Sequence, residues 1–203
     1  MRIKIIIILF LVFKLGLLSA QQSADSIESK AKKLKQYYLL SKSKTAEVAD
    51  MYEQKFFEEF PDNFNELNEL YGDNEQRKKA AILNDEVENH IYKLFNNLKS
   101  INDTAYYKKI IRIAIGGKWD ADAVNIFQNG LMNRVVNKPE LTVFILRKMS
   151  QDSIKSFWYF YFDGPLPKKH FDPSLKKIKV IDKKIYGLMM ESYDEVLKAW
   201  EKE

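Results

Sequence analysis

The chain has 203 residues, with 33 Lys and Arg against 28 Asp and Glu, 46% hydrophobic residues and no cysteine. The missing cysteine excludes a disulfide framework, a thiolate metal site and a cysteine nucleophile, so stability must come from a hydrophobic core, which a chain of this length can bury. Three basic residues and no acid lie in the first twenty positions; without them 30 basic residues face 28 acidic ones, a formal charge of +2, and a nucleic-acid partner is not expected.

Those first twenty residues have the order of a secretory signal peptide. Arg2 and Lys4 precede an unbroken apolar run from Ile5 to Phe13, and Leu15 to Ala20 ends on the small pair Ser19-Ala20. Lys14 interrupts a stretch that would otherwise need about 20 apolar residues to span a bilayer. The sequence therefore predicts export with cleavage after Ala20, leaving one domain over 21–203 with no transmembrane segment; an uncleaved anchor is the alternative. Many Lys, Asn and Ile residues, a start at Gln21-Gln22 and the absence of cysteine favour a bacterial protein, periplasmic or secreted.

Helical spacing recurs through the rest. From Ser23 to Leu40 a stripe of Ile27, Ala31, Leu34 and Tyr38 predicts a lysine-rich helix. Thr45 is placed to cap a second helix, with Val48, Tyr52, Phe56 and Phe60 in line before Pro61. Asp62 is expected to cap a short third helix closed by Gly72. Residues 73–82 are ambiguous. Val87, Ile91, Leu94, Phe95 and Leu98 form the clearest amphipathic stripe. Asp103 is expected to open the next helix, with Tyr107, Ile110, Ile111 and Ala114 inward and Gly116-Gly117 at its end. Asp120 is expected to cap 121–137, and Pro139 to begin a helix ending near Arg147-Lys148.

Two β-branched or aromatic runs, Ile110 to Ile115 and Phe157 to Phe162, are also compatible with buried strands. Length and flanking caps, Ser150 or Asp152 before the second and Asp163-Gly164-Pro165 after it, favour helix. Phe171 to Lys179 reads as a lysine-rich connection, and about 180–201 as the last helix. No repeat period emerges. The expected fold is all-α, an irregular single-domain bundle of about seven to eight helices.

Catalytic patterns are poorly supplied. His90 and His170 stand alone, with no His-Glu-x-x-His; His90 follows Glu86 by four and reads as a solvated helix position rather than a metal ligand. Neither a nucleophile elbow nor a phosphate loop occurs, and no cofactor or metal is expected. Asp120 and Asp122 beside Trp119 are the nearest pair of carboxylates, but helix capping accounts for both. Charge is uneven. Residues 45–75 hold ten acids and one lysine, 28–44 six lysines and one acid, and 166–184 seven lysines and two acids. Helix faces attracting one another explain this; a basic surface for an anionic envelope component is the second reading.

The sequence thus favours a non-catalytic exported domain that binds a protein or envelope polymer. A glycan- or peptidoglycan-acting hydrolase with paired carboxylates is the alternative. Loops at the ends of rigid helices are where binding residues are placed. Lys118, Trp119 and Asp120 after Gly116-Gly117, with Asp163 before Gly164-Pro165, are the candidate binding residues. Export itself predicts that mass spectrometry of the protein from its native host finds a chain beginning at Gln21; an intact Met1 in the membrane fraction would contradict it.

Overall fold

The structure, a computed structural model, describes residues 26–74 and 79–202, so the expected signal segment lies outside the described residues. Among the described residues ten α-helices follow one another: α1 (26–40), α2 (Ala46–Glu59), α3 (Phe64–Tyr71), α4 (Val87–Asn96), α5 (Asp103–Ala114), α6 (Ala123–Asn137), α7 (Pro139–Leu146), α8 (Gln151–Phe162), α9 (Lys176–Ile181) and α10 (Lys183–Trp200). The expectation of seven to eight helices was low. The lysine-rich tract read as a connection contains α9, because Asp172 caps a 3-10 turn at Pro173–Leu175 that leads straight into it. Asp182 then separates α9 from α10, its Oδ1 accepting from the Lys184 and Ile185 N–H groups at 3.0 and 3.1 Å. Within the ambiguous 73–82 segment, a two-residue antiparallel ladder pairs Asp73 with Ala80 and Asn74 with Lys79.

Both β-compatible runs are helical, in α5 and α8. Their bulky residues are tolerated because tertiary burial outweighs helix propensity. Phe157, Trp158, Phe160, Tyr161 and Phe162 are buried, and α8 packs against α10, α5 and α6. One hydrophobic cluster contains buried residues from all ten helices, including Leu34, Phe56, Leu67, Leu94, Ile110, Phe127, Leu146, Ile178 and Met189.

Three expected caps sit elsewhere. Asn63, not Asp62, caps α3 by accepting from Glu66 N, while Asp62 meets Lys109 at 3.2 Å. Asn102, not Asp103, caps α5 through the Thr104 and Ala105 N–H groups. Asp120 does not cap α6: that helix starts at Ala123 behind Asp122, which has φ +50° and makes no side-chain cap. Asp120 Oδ1 instead accepts from Ala121 N at 2.8 Å. Ser150 caps α8 as expected.

The acidic and first basic tracts do meet. Lys30–Glu66 at 2.8 Å and Lys33–Glu59 at 3.4 Å join α1 to α3 and α2. Lys109 places its buried ammonium on the C-terminal carbonyls of α2, 3.2 Å from Glu58 O and 2.5 Å from Phe60 O, where the helix dipole favours a cation. Buried Glu53 faces Lys93 at 3.6 Å and accepts from Lys99 N and Ser100 N, closing the connection between α4 and α5.

His90 corrects the expectation of a solvated helix position. It is fully buried among Tyr38, Phe56 and Tyr71, and its Nδ1 is 2.9 Å from the Tyr71 hydroxyl. Burial favours the neutral imidazole and lowers its pKa to about 4. An unfolded histidine titrates near pH 6.5, so below that pH the unfolded chain takes up a proton that folded His90 refuses, and stability falls with pH. Between about pH 6.5 and 5 His90 should account for a loss of about 2 kcal/mol. Urea unfolding at both pH values checks this, and His90→Leu should flatten the dependence to the smaller share from His170, whose pKa burial also lowers.

Candidate functional site

The site begins where α5 ends. Ser156 Oγ accepts from Gly116 N at 2.7 Å, and Gly117 passes so close to α8 that a Cβ there would lie 2.6 Å from the Phe160 ring. That close passage carries the 116–122 loop across the C-terminal end of α8. Trp119 N then donates to Asp163 Oδ2 at 2.7 Å. The other oxygen of Asp163 accepts from the Trp200 indole at 2.9 Å, and the two indoles meet edge to face with centroids 5.8 Å apart. One carboxylate therefore ties the 116–122 loop, the end of α8 and the end of α10 together.

Asp163 sits at the negative end of the α8 dipole, an unfavourable place for a carboxylate. Its two donors offset that cost, and the carbonyls at that helix end are covered by neighbours. Gln128, buried on α6, donates to Phe160 O at 2.5 Å and Asp163 O at 2.7 Å. His170 Nδ1 donates to Phe162 O at 3.1 Å. Gly164 follows with φ +138°, a conformation a side chain would strain, and a Cβ there would fall 3.1 Å from the Trp119 ring.

Of the four candidate residues, the structure brings Trp119 and Asp163 into contact. Lys118 and Asp120 flank Trp119 on the exposed loop. Asp163 is only 7% exposed and both its oxygens are occupied. Its first role is to fasten the loops. Asp120 and Asp122 are exposed on the same loop.

Sequence reasoning missed the adjoining recess. Trp200 also lines a pocket of about 310 Å³ with Leu197, Pro165, Leu166, Pro167, Lys168, Lys169 and Glu201. Leu166 is 53% exposed, held out between two prolines that begin and stiffen a 3-10 turn at Pro167–His170. The available signal was Pro165-Leu166-Pro167, an apolar residue between two rigid ones at the junction of an aromatic helix and a basic tract. Among the described residues, none of the seven lysines in 166–184 forms an ion pair; Lys179 instead lies over the Tyr186 ring at 5.8 Å. No group of three metal-ligating side chains occurs among the described residues, and no helix there is long and apolar enough to cross a membrane.

Comparison with protein-family models, with curated proteins and with solved structures finds no match to this chain, so the reading rests on the geometry alone.

Asp163→Ala leaves the Trp119 N–H and the Trp200 indole without their acceptor. Loss of hydrogen bonds to a charged group should cost on the order of 1.5–3 kcal/mol. Near-ultraviolet circular dichroism should weaken as the two indoles lose their fixed arrangement, while far-ultraviolet helix content stays.

Proposed function

We propose that this protein is an exported, non-catalytic binding domain that docks an anionic partner, a protein or an envelope polymer, at the junction of α8, the 116–122 loop and α10. The observation that carries the reading is the pocket beside Trp200: Leu166, Leu197 and the indole supply apolar surface, and Lys168 and Lys169 outnumber the single acid, Glu201, in its lining. It adjoins a basic tract whose lysines form no ion pair among the described residues, although Lys177 lies near enough to Asp172 to act on its charge. Lysines held apart from acids leave their charge available to an incoming ligand, and the apolar recess supplies short-range contact once that ligand arrives. A partner presenting an apolar side chain next to carboxylates matches both features.

The hydrolase alternative needs two acids facing each other across a cleft, about 5–10 Å apart. Asp163 is occupied by two donors, and Asp120 and Asp122 lie on one exposed loop. These placements favour the binding reading. Export of the chain, with residues 1–20 removed, belongs to the same proposal and rests on the order of the first twenty residues.

A fluorescein-labelled peptide with Leu and Phe set among glutamates serves as probe, and the same peptide with lysines for glutamates as control. The acidic peptide should bind and the control should not. Affinity should fall at least about tenfold when salt rises from about 50 to about 500 mM, as screening requires. Lys168→Glu combined with Lys169→Glu should abolish binding without lowering the melting temperature, since both side chains are exposed. Equal binding of both peptides, or an unaffected double variant, would rule out this surface.

A further inference from the structure

A second surface lies along the seam of α4 and α6. These helices pack closely because Gly130 leaves room for the Phe95 ring; a Cβ at 130 would fall 2.3 Å from that ring. Above the contact runs a groove of about 570 Å³ floored by Ile91, Phe95 and Ile126. It continues into a smaller recess of about 340 Å³ that shares Phe95, Asn96 and Asn133 and adds Asn137. The main groove falls within the size range of ligand sites, about 300–1,000 Å³.

Its rim is made of amides. Asn89, Tyr92 and Asn96 repeat along one face of α4, and Asn133 and Asn137 stand one turn apart on α6, with Asn97 just past the end of α4. The side chains of Asn97, Asn133 and Asn137 have no hydrogen-bond partner among the described residues. Asn96 donates only to Tyr92 O at 3.1 Å, while Asn89 is held by the Tyr38 hydroxyl and Glu86, each at 3.1 Å. Tyr92 is 60% exposed, with its ring at the rim.

Cations at the groove are already engaged. Lys93 faces Glu53, and Arg134 donates to Phe95 O with its guanidinium over the Tyr106 ring. Glu88 is the remaining charge. An anionic ligand would find no free counter-ion here and a cationic one only Glu88, so the groove, lined mainly by amides, suits a neutral ligand. Each amide offers a donor and an acceptor side by side, which matches vicinal hydroxyls, themselves both donor and acceptor. An exposed aromatic ring beside them supplies a flat apolar face for the C–H side of a pyranose. A peptide strand is matched less well, because helix-borne amides cannot continue a backbone ladder.

We infer that the α4–α6 groove is a binding site for a neutral oligosaccharide, with Tyr92 as the stacking ring and Asn96, Asn133 and Asn137 as the hydroxyl-reading groups. It is separate from the basic surface proposed above and does not depend on it. Calorimetric titration of the full chain with maltotetraose, cellotetraose and chitotetraose tests it. At least one should bind, with affinity unchanged by salt. Tyr92→Ala should weaken it at least about tenfold, and Asn133→Ala should also weaken it, both at an unchanged melting temperature. The Lys168→Glu and Lys169→Glu double variant should bind the sugar as the wild type does, which separates this site from the first. The inference fails if none of the three sugars binds at about 10 mM, if Tyr92→Ala binds as tightly as wild type, or if a neutral alanine–asparagine peptide occupies the groove in preference to all three sugars.

Discussion

Everything else in this structure is arranged around the burial of α8. Six consecutive aromatic residues on one helix point in all directions, and only Tyr159 of the six remains half-buried. A helix that is apolar all round needs neighbours on every side. Helices α5, α6 and α10 supply them, and the rings interlock: Trp158 meets Tyr161 edge to face at 5.3 Å, and Phe162 stacks on Phe171 at 6.1 Å. In a chain with no disulfide to restrict its unfolded state, that apolar burial is the dominant favourable term.

A central apolar helix creates a problem at its C-terminal end, where carbonyls emerge with no partner of their own. Here the solution uses residues from across the fold. Gln128 comes from α6 and His170 from the turn after α8, while Asp163 recruits Trp119 and Trp200. The same solution gathers two tryptophans, an exposed leucine and two lysines at one corner of the molecule. The candidate binding surface is thus a consequence of how a buried helix is finished. The α4–α6 seam follows a related logic, since the close approach at Gly130 sets the floor of the groove and leaves the polar faces of both helices to line it.

Charge pairing divides the molecule. Four acids of the stretch 45–75 (Glu53, Glu59, Asp62 and Glu66) pair with Lys93, Lys33, Lys109 and Lys30, two of these pairs being made by buried ammonium groups whose pKa burial lowers. Exposed pairs of this kind contribute little, at most about 1 kcal/mol each, so their effect is on which helix meets which. Lys155, between Glu191 and Glu195, similarly joins α8 to α10. The lysines of 166–184 form no ion pair among the described residues, so ion pairing between helices accounts for the first basic tract and not for this one.

Much of the fold was legible in local pattern. Leu94 and Phe95 in α4, Phe127 and Leu131 in α6, and Met189 and Val196 in α10 are buried as their spacing requires, because helical periodicity is a property of the chain itself. The cap of Ser150 and the stop at Gly72 were legible for the same reason. Where neighbouring residues compete for one role, as Asp62 and Asn63 or Asn102 and Asp103 do, the choice depended on what else each could reach: Asp62 was drawn to Lys109, which lies 47 positions away in the chain. His90 could not be placed from sequence, since nothing local marks the Tyr38, Phe56 and Tyr71 rings that enclose it. Lys118, Trp119, Asp120 and Asp163 were visible as candidates, but the meeting of Trp119 with Asp163 and the part played by Trp200 were not. Helix position and apolar face are set by contacts within a few residues, so the sequence determined them alone. Which loop closes over which helix end is set by contacts between residues 37 to 44 positions apart, and only the packed tertiary structure decided that.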